Sequence, residues 1–326
     1  MLTPWEIKKK EYLPPLIMVK MNIIGVLSLL KILLLNLKSV KNARKQEKKN
    51  IYVNPKLTYK IPQYKEGMKY CNSEEKYLRP TLYCNCRAPE VIALANELGA
   101  YKKSDYEFAQ SAFEFAKRKI ILQFVPLDDI PETLKRGTGT CVHKNSVFIA
   151  LCRAAGLPAR YKFYALTMLD EWMQTPLDNA PLMKKLYGVM GSFLLHGGAE
   201  VFIEGKWISA DAGAEPERQA MAWLPITKLG EDAVGVWLFP IPGTIIKRES
   251  VPLGLGLPSR VLMKKLLPNS VVGLNIGVLH QIEKGRRIIE ESGGEILYDK
   301  LAREKRAKTM PKPSIEKKSN KIIFDE

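Results

Sequence analysis

Residues 137–160, GTGTCVHKNSVFIALCRAAGLPAR, decide the fold. Gly137 and Gly139 punctuate a loop that delivers Cys141 to an apolar run in which Val147, Phe148, Leu151 and Cys152 recur at helical spacing. The pattern predicts a helix with these residues packed inward, Cys152 among them as a core residue. Gly156, free to turn left-handed, and Pro158, unable to continue a helix, end it. Residues 160–166 then read as the first strand of a sheet. A thiol at the start of such a helix lies among unpaired backbone N–H groups, whose partial positive charge favours thiolate over thiol. Cys141 is therefore a candidate nucleophile.

A nucleophile needs a base, and the chain has three histidines: His143, His196 and His280. His143 follows Cys141 by two residues, about 200° around a helix, and faces away from it. His280 lies in a separate apolar segment without a marking carboxylate pattern. His196 opens HGGAEVFIEGKWISAD, in which residues 199–203 and 206–210 read as two strands joined by a tight turn at Glu204-Gly205. The start of one hairpin strand lies beside the end of the next, so His196 and Asp211 become neighbours. The implied arrangement is Cys141 as nucleophile, His196 as general base and acid, and Asp211 orienting the imidazole. A lone cysteine near a helix start is more often a packed small hydrophobe. The combination, not the cysteine, carries the reading.

These residues resemble the transglutaminase-like superfamily. The matches are Gly137, Gly139 and Cys141, then His196, Glu200, Val201, Gly205, Trp207 and Asp211, and PETLKRGTGTC and CRAAGLPARYKF are similar to the family's approach to and exit from the cysteine helix. The resemblance covers roughly residues 85–215. It departs from the family at Gly197-Gly198, where a small residue and an aromatic are common, and in a long connection between Tyr164 and His196. It implies an α+β, papain-like core, with helices packed on an antiparallel sheet. The implied chemistry is thioester-forming attack on an amide or peptide bond by a Cys-His-Asp triad, without cofactor or metal. Hydrolysis by a protease or amidase is the expected outcome. Two alternatives are a protein-glutamine acyltransferase and a non-catalytic, membrane-associated interaction protein with a relic triad. The partner is then a peptide or protein substrate.

The remaining stretches set the frame. Residues 88–99 carry Val91, Ile92, Ala95 and Leu98 at helical spacing, and 105–121 carry Phe108, Ala112, Phe115 and Ala116, with Ser104 and Asp105 as caps. Cys84 and Cys86 fall on one face of an expected strand. With Cys71 they lack a fourth metal ligand, so burial is the simplest account. Five cysteines without framework spacing favour a reducing, cytoplasmic compartment. Residues 167–195 read as a short helical insertion, either a cover over the cleft or a peripheral excursion. Trp223, Trp237 and Phe239 suggest strands or loops, and residues 271–294 a strand or loop running into an amphipathic helix. From Leu301 onward a disordered basic tail is expected.

The net charge of +17 is concentrated at the ends, with +8 in residues 1–50 and +4 in residues 301–326. With no aromatic-interleaved basic patch on the core, a specific nucleic-acid partner is not expected. Residues 16–37 have the length of a bilayer span but contain Lys20 and Lys31. Lys20, Lys31, Lys38, Lys45 and Lys49 fall in one sector of a helical wheel, a pattern suited to lying on an anionic membrane surface through residues 16–49. The expected organisation is an apolar and basic N-terminal helix over 1–50, a lead-in over 51–84, a catalytic domain over 85–245, a packed extension over 246–300 and the tail over 301–326.

Overall fold

The computed structural model describes residues 27, 30–31, 33–38, 41, 51–53, 55–167, 170–189, 193–233, 239–240, 245–251 and 260–308. The expected N-terminal membrane-surface helix lies, the positions up to 41 apart, outside the described residues, as do Trp237 and residues 309–326. Among the described residues no helix is long and apolar enough to cross a membrane.

The fold is α+β. Helices α1 (Pro89–Leu98) and α2 (Asp105–Lys119) come first. Ser104 caps α2 in a reciprocal box: its hydroxyl accepts from the Glu107 N–H, and the Glu107 carboxylate accepts from the Ser104 N–H at 3.0 Å. β1 (Ile121–Leu122) pairs in parallel with β2 (Thr138–Gly139), flanking α3 (Ile130–Arg136). α4 runs from Cys141–Ala154 and is buried from Val142 onward, so its polar residues must find partners inside the protein.

The main sheet is antiparallel. β3 (Ala159–Thr167) pairs with β4 (Phe193–Ile203), and β4 pairs with β5 (Lys206–Ala210). The short β6 (Phe239–Pro240) and β7 (Ile246–Arg248) both pair with the other edge of β3. The β4–β5 turn lies at Glu204 and Gly205, both with positive φ (49° and 78°), as a twisted two-residue hairpin requires. Glu200, Arg160 and Trp207 brace this hairpin. Arg160 sits opposite Glu200 on the neighbouring strand and donates to its carboxylate at 2.7 Å, while its guanidinium lies 3.7 Å from the Trp207 ring centroid. Two of the residues that carry the family resemblance thus serve the scaffold.

Three expectations are corrected. Residues 271–294 are not a strand or loop entering a helix: α8 spans Pro268–Glu291. The β-branched residues and glycines of VVGLNIGV suggested otherwise, but Gly273, Gly277 and Gly285 lie on one helix face. There an added Cβ would run into the backbones of Asn179, Pro176 and Glu217 respectively. The glycines let α8 seat directly on α5 (Asp170–Asp178) and α7 (Pro216–Met221). The tail expected from Leu301 begins as helix, because α9 spans Glu295–Lys308 and buries Tyr298 and Ala302. Cys84 and Cys86 lie in turns with one isolated bridge between Thr81 and Cys84, not on a strand, although both are fully buried. The insertion contains α5 and α6 (Pro181–Val189).

Candidate active site

The start of α4, the middle of β4 and the end of β5 converge. Register pairs His196 with Tyr164 on β3 and Ala199 with Ala210 on β5, so His196 projects beyond the end of β5 and meets Asp211 just after it. His196 Nε2 lies 2.7 Å from Asp211 Oδ2. With Nε2 committed to the carboxylate, Nδ1 is the ring nitrogen left for the Cys141 thiol, which is within hydrogen-bonding reach of the imidazole. Asp211 is itself fixed: its Oδ1 accepts from the Gly213 N–H at 2.8 Å, and Tyr164 donates to Oδ2 at 3.4 Å. His196 and Asp211 are buried, while Cys141 is partly exposed.

The electrostatics favour an ion pair. Burial pushes the Cys141 thiol up, but the adjacent His196 imidazolium and the Gly197 backbone N–H outweigh it and bring it below the ordinary thiol value. Burial lowers His196, and the Asp211 carboxylate and Cys141 thiolate more than reverse this, raising it to about 10. Asp211 is held below the usual carboxylate range: burial alone would raise it, and His196 overcomes that. The other buried thiols behave oppositely: burial raises Cys84, drives Cys86 to about 12 and puts Cys152 well above the ordinary value. The sign for stability follows. Protonated His196 contributes fully below about pH 6.5, its unfolded value, and that contribution is lost as pH rises through about 10. Ionised Asp211 contributes above its unfolded value of about 3.9, and that contribution is lost as pH falls through its lower folded value.

Neither other histidine joins the cluster. His143 turns to the cap of α4, accepting from the Thr140 N–H at 3.1 Å through Nδ1 and meeting Asp128 at 3.2 Å through Nε2. His280 is exposed on α8.

Three further residues hold the arrangement, of which the sequence singled out only Gly197. Asn145, one turn beyond Cys141, donates to the carbonyls of Cys141 (3.0 Å) and Gly197 (2.6 Å) and accepts from the Ala212 N–H (3.1 Å). One buried amide thereby ties the cysteine helix to the strand of His196 and the loop after Asp211. The i+4 spacing from Cys141 was the available signal. Gly197 lets β4 approach the helix, since a Cβ there would lie 2.9 Å from Val142 Cγ2 and 3.0 Å from Phe163 Cε1. Its departure from the family pattern is thus accommodated by close packing.

Gly213 sits at the centre. A Cβ at this position would lie 2.8 Å from Asp211 Oδ1, 2.9 Å from His196 Cε1 and 3.2 Å from Cys141 Cβ. Gly213→Ala is therefore expected to cost about 1–3 kcal/mol of stability by overpacking and to slow alkylation of Cys141 at pH 6 at least roughly tenfold. Chemical denaturation and peptide-resolved alkylation check both. An unchanged alkylation rate would show that the cluster is looser than these distances require.

A family model described as the transglutaminase-like superfamily matches residues 92–212, from within α1 to just past Asp211. Among solved structures, a match is found to "a Putative Cysteine Protease from Cytophaga hutchinsonii", at 18% identity and a TM-score of 0.32, covering 53% of this chain and 50% of that one. The chain thus spans about half the length of that protein. No curated protein matches.

Proposed function

We propose, from the premise that residues 92–212 form a transglutaminase-like core, that the protein is a cysteine-dependent amide or peptide hydrolase in which Cys141 is the nucleophile, His196 the proton carrier and Asp211 its orienting carboxylate. The observation that carries this reading is the placement of His196 between Asp211, at 2.7 Å, and the Cys141 thiol, which its surroundings acidify. The Cys141 thiolate attacks the amide carbonyl carbon, forming a C–S bond while the carbonyl electron pair moves to oxygen. Collapse breaks the C–N bond, and the His196 imidazolium proton passes to the departing nitrogen. A water molecule, losing a proton to His196, then forms a C–O bond to the thioester carbon. The C–S bond breaks, releasing the acid and restoring the thiolate–imidazolium pair. The N–H of Cys141 at the start of α4 supplies one donor toward the developing oxyanion.

The test is capture of the thioester. After incubation with peptide and glutamine-containing substrates and an acid quench, the Cys141 peptide is expected to carry an acyl mass that hydroxylamine removes. Added primary amine separates the two acyl acceptors. Free acid as the dominant product supports hydrolysis, whereas a new amide as the dominant product favours acyl transfer. Absence of acyl-Cys141 with every turned-over substrate would defeat the covalent mechanism.

A further inference from the structure

Arg218 on α7 is only 4% exposed, yet its charge has no acidic partner at ion-pair distance among the described residues. Its Nε donates to Gln281 Oε1 at 3.0 Å, and its guanidinium carbon lies 4.9 Å from the centroid of the Trp172 ring. Nη1 and Nη2 make no hydrogen bond to the described residues, and neither is among the polar atoms that the core seals off without a partner. A buried guanidinium normally has its fork satisfied, because desolvating the charge is costly. Burial brings Arg218 down to about 10, against the opposing charges of Glu215 and the Cys141 thiolate.

The surroundings place Arg218 near the cysteine. Cys141 packs against the cluster formed by Leu122, Val278 and Ile282, and Gln281, which holds Arg218, lies on α8 between the last two. Positions 278, 281 and 282 share one face of a helix, so Arg218 meets α8 on the face that carries two members of the cluster against which Cys141 packs. Gln281 is fixed in turn by donating to the Trp172 carbonyl, and Trp172 is a buried residue of the insertion that separates β3 from β4. The guanidinium of Arg218 thus sits over an aromatic ring, and its Nε is held by an amide. That leaves two parallel N–H directions for an anion, the geometry that suits a carboxylate.

We propose that Arg218 is a specificity residue that binds a carboxylate carried by the substrate a few bonds from the amide attacked by Cys141. The proposal rests on the nucleophile reading of Cys141. The preferred acyl donors would then be carboxylate-bearing amides, and the insertion and α8 would serve the site by fixing the fork through Trp172 and Gln281.

The test compares alkylating and thiolating reagents in matched anionic and neutral pairs at Cys141: iodoacetate against iodoacetamide, and 2-carboxyethyl against propyl methanethiosulfonate. Cys71, a partly exposed thiol, serves as internal reference. The anionic-to-neutral rate ratio cancels any change in thiolate population. In the wild type the ratio at Cys141 is expected to exceed that at Cys71 by about tenfold in at least one pair, the scale of one charge-assisted bidentate contact. Arg218→Gln is expected to remove most of that preference, with Arg218→Lys falling between. A wild-type ratio no greater than that of Cys71 in both pairs overturns the proposal without recourse to a variant, as does a ratio unchanged in Arg218→Gln. Rapid reaction with the neutral reagents and no anionic preference sinks the role of Arg218 alone. Inertness of Cys141 to all four reagents removes the nucleophile reading and this proposal with it.

Discussion

Lys144→Met is expected to lower the free energy of unfolding by about 3–5 kcal/mol, among the larger effects a single substitution produces. Lys144 lies on α4, three residues after Cys141, and is fully buried. Its Nζ donates to Glu215 Oε1 at 2.6 Å and to the carbonyls of Ile120 and Lys117 at 2.6 and 2.9 Å. Glu215, 1% exposed, also accepts from the Leu122 N–H at 2.5 Å. Removing the ammonium strands a buried carboxylate and two carbonyls, which costs far more than the pair contributes over an apolar replacement. The double variant Lys144→Met/Glu215→Leu is therefore expected to be more stable than Lys144→Met alone. Denaturant titration of the four proteins of the cycle yields the coupling directly. A single-variant loss under 1 kcal/mol would show that the pair is not desolvated as its burial implies.

This network supports the site from below. Lys144 and Glu215 join the cysteine helix to the loop that contains Gly213. Lys117, donating to the Ala214 carbonyl at 2.9 Å and to Gln219 at 2.8 Å, ties α2 to the same loop. A polar cluster sealed under α4 fixes the loop's position relative to Cys141 in a way that apolar packing, lacking direction, would not. The same loop leads into α7 and Arg218. Stability and site geometry are thus coupled, and Lys144→Met is expected to loosen the cluster as well as the fold.

The features legible in the sequence were local ones. Glycines before Cys141 and the Gly-Leu-Pro after it bound α4 because caps and stops act within a few residues. The β4–β5 hairpin was readable from Glu204-Gly205, since only that turn brings residues 199 and 210 opposite each other. The proximity of His196 and Asp211 followed from the same register. What was not legible depends on elements far apart in the chain. Gly213 matters because the side chains of Cys141 and His196, from two other segments, crowd it together with that of Asp211, and no pattern around residue 213 announces them. Arg218 is marked by what is missing around its fork, which a sequence cannot display. α8 was misread because its glycines, which argue against an isolated helix by intrinsic propensity, are the points where α5 and α7 touch its backbone. Tertiary packing overrides the local preference there. The helical continuation of α9 to Lys308 has a similar origin, in the burial of Tyr298 and Ala302 against Ala220 and Ile226.

The measurement that bears most directly on the Cys141–His196 pair is peptide-resolved alkylation of all five cysteines from pH 4 to 10, in wild type and His196→Ala. In the wild type, Cys141 is expected to react as thiolate below the ordinary thiol range, ahead of the buried Cys84, Cys86 and Cys152, because the imidazolium persists up to about pH 10. In His196→Ala the opposing charge is gone while burial and Asp211 remain, and both push the thiol up. Its thiolate population at pH 6, and with it the alkylation rate, is expected to fall by roughly two orders of magnitude, as for a thiol returned to about 8.5 or above. Matching profiles for Cys141 in the two proteins, or a wild-type Cys141 that titrates with the other thiols, would contradict the thiolate–imidazolium pair.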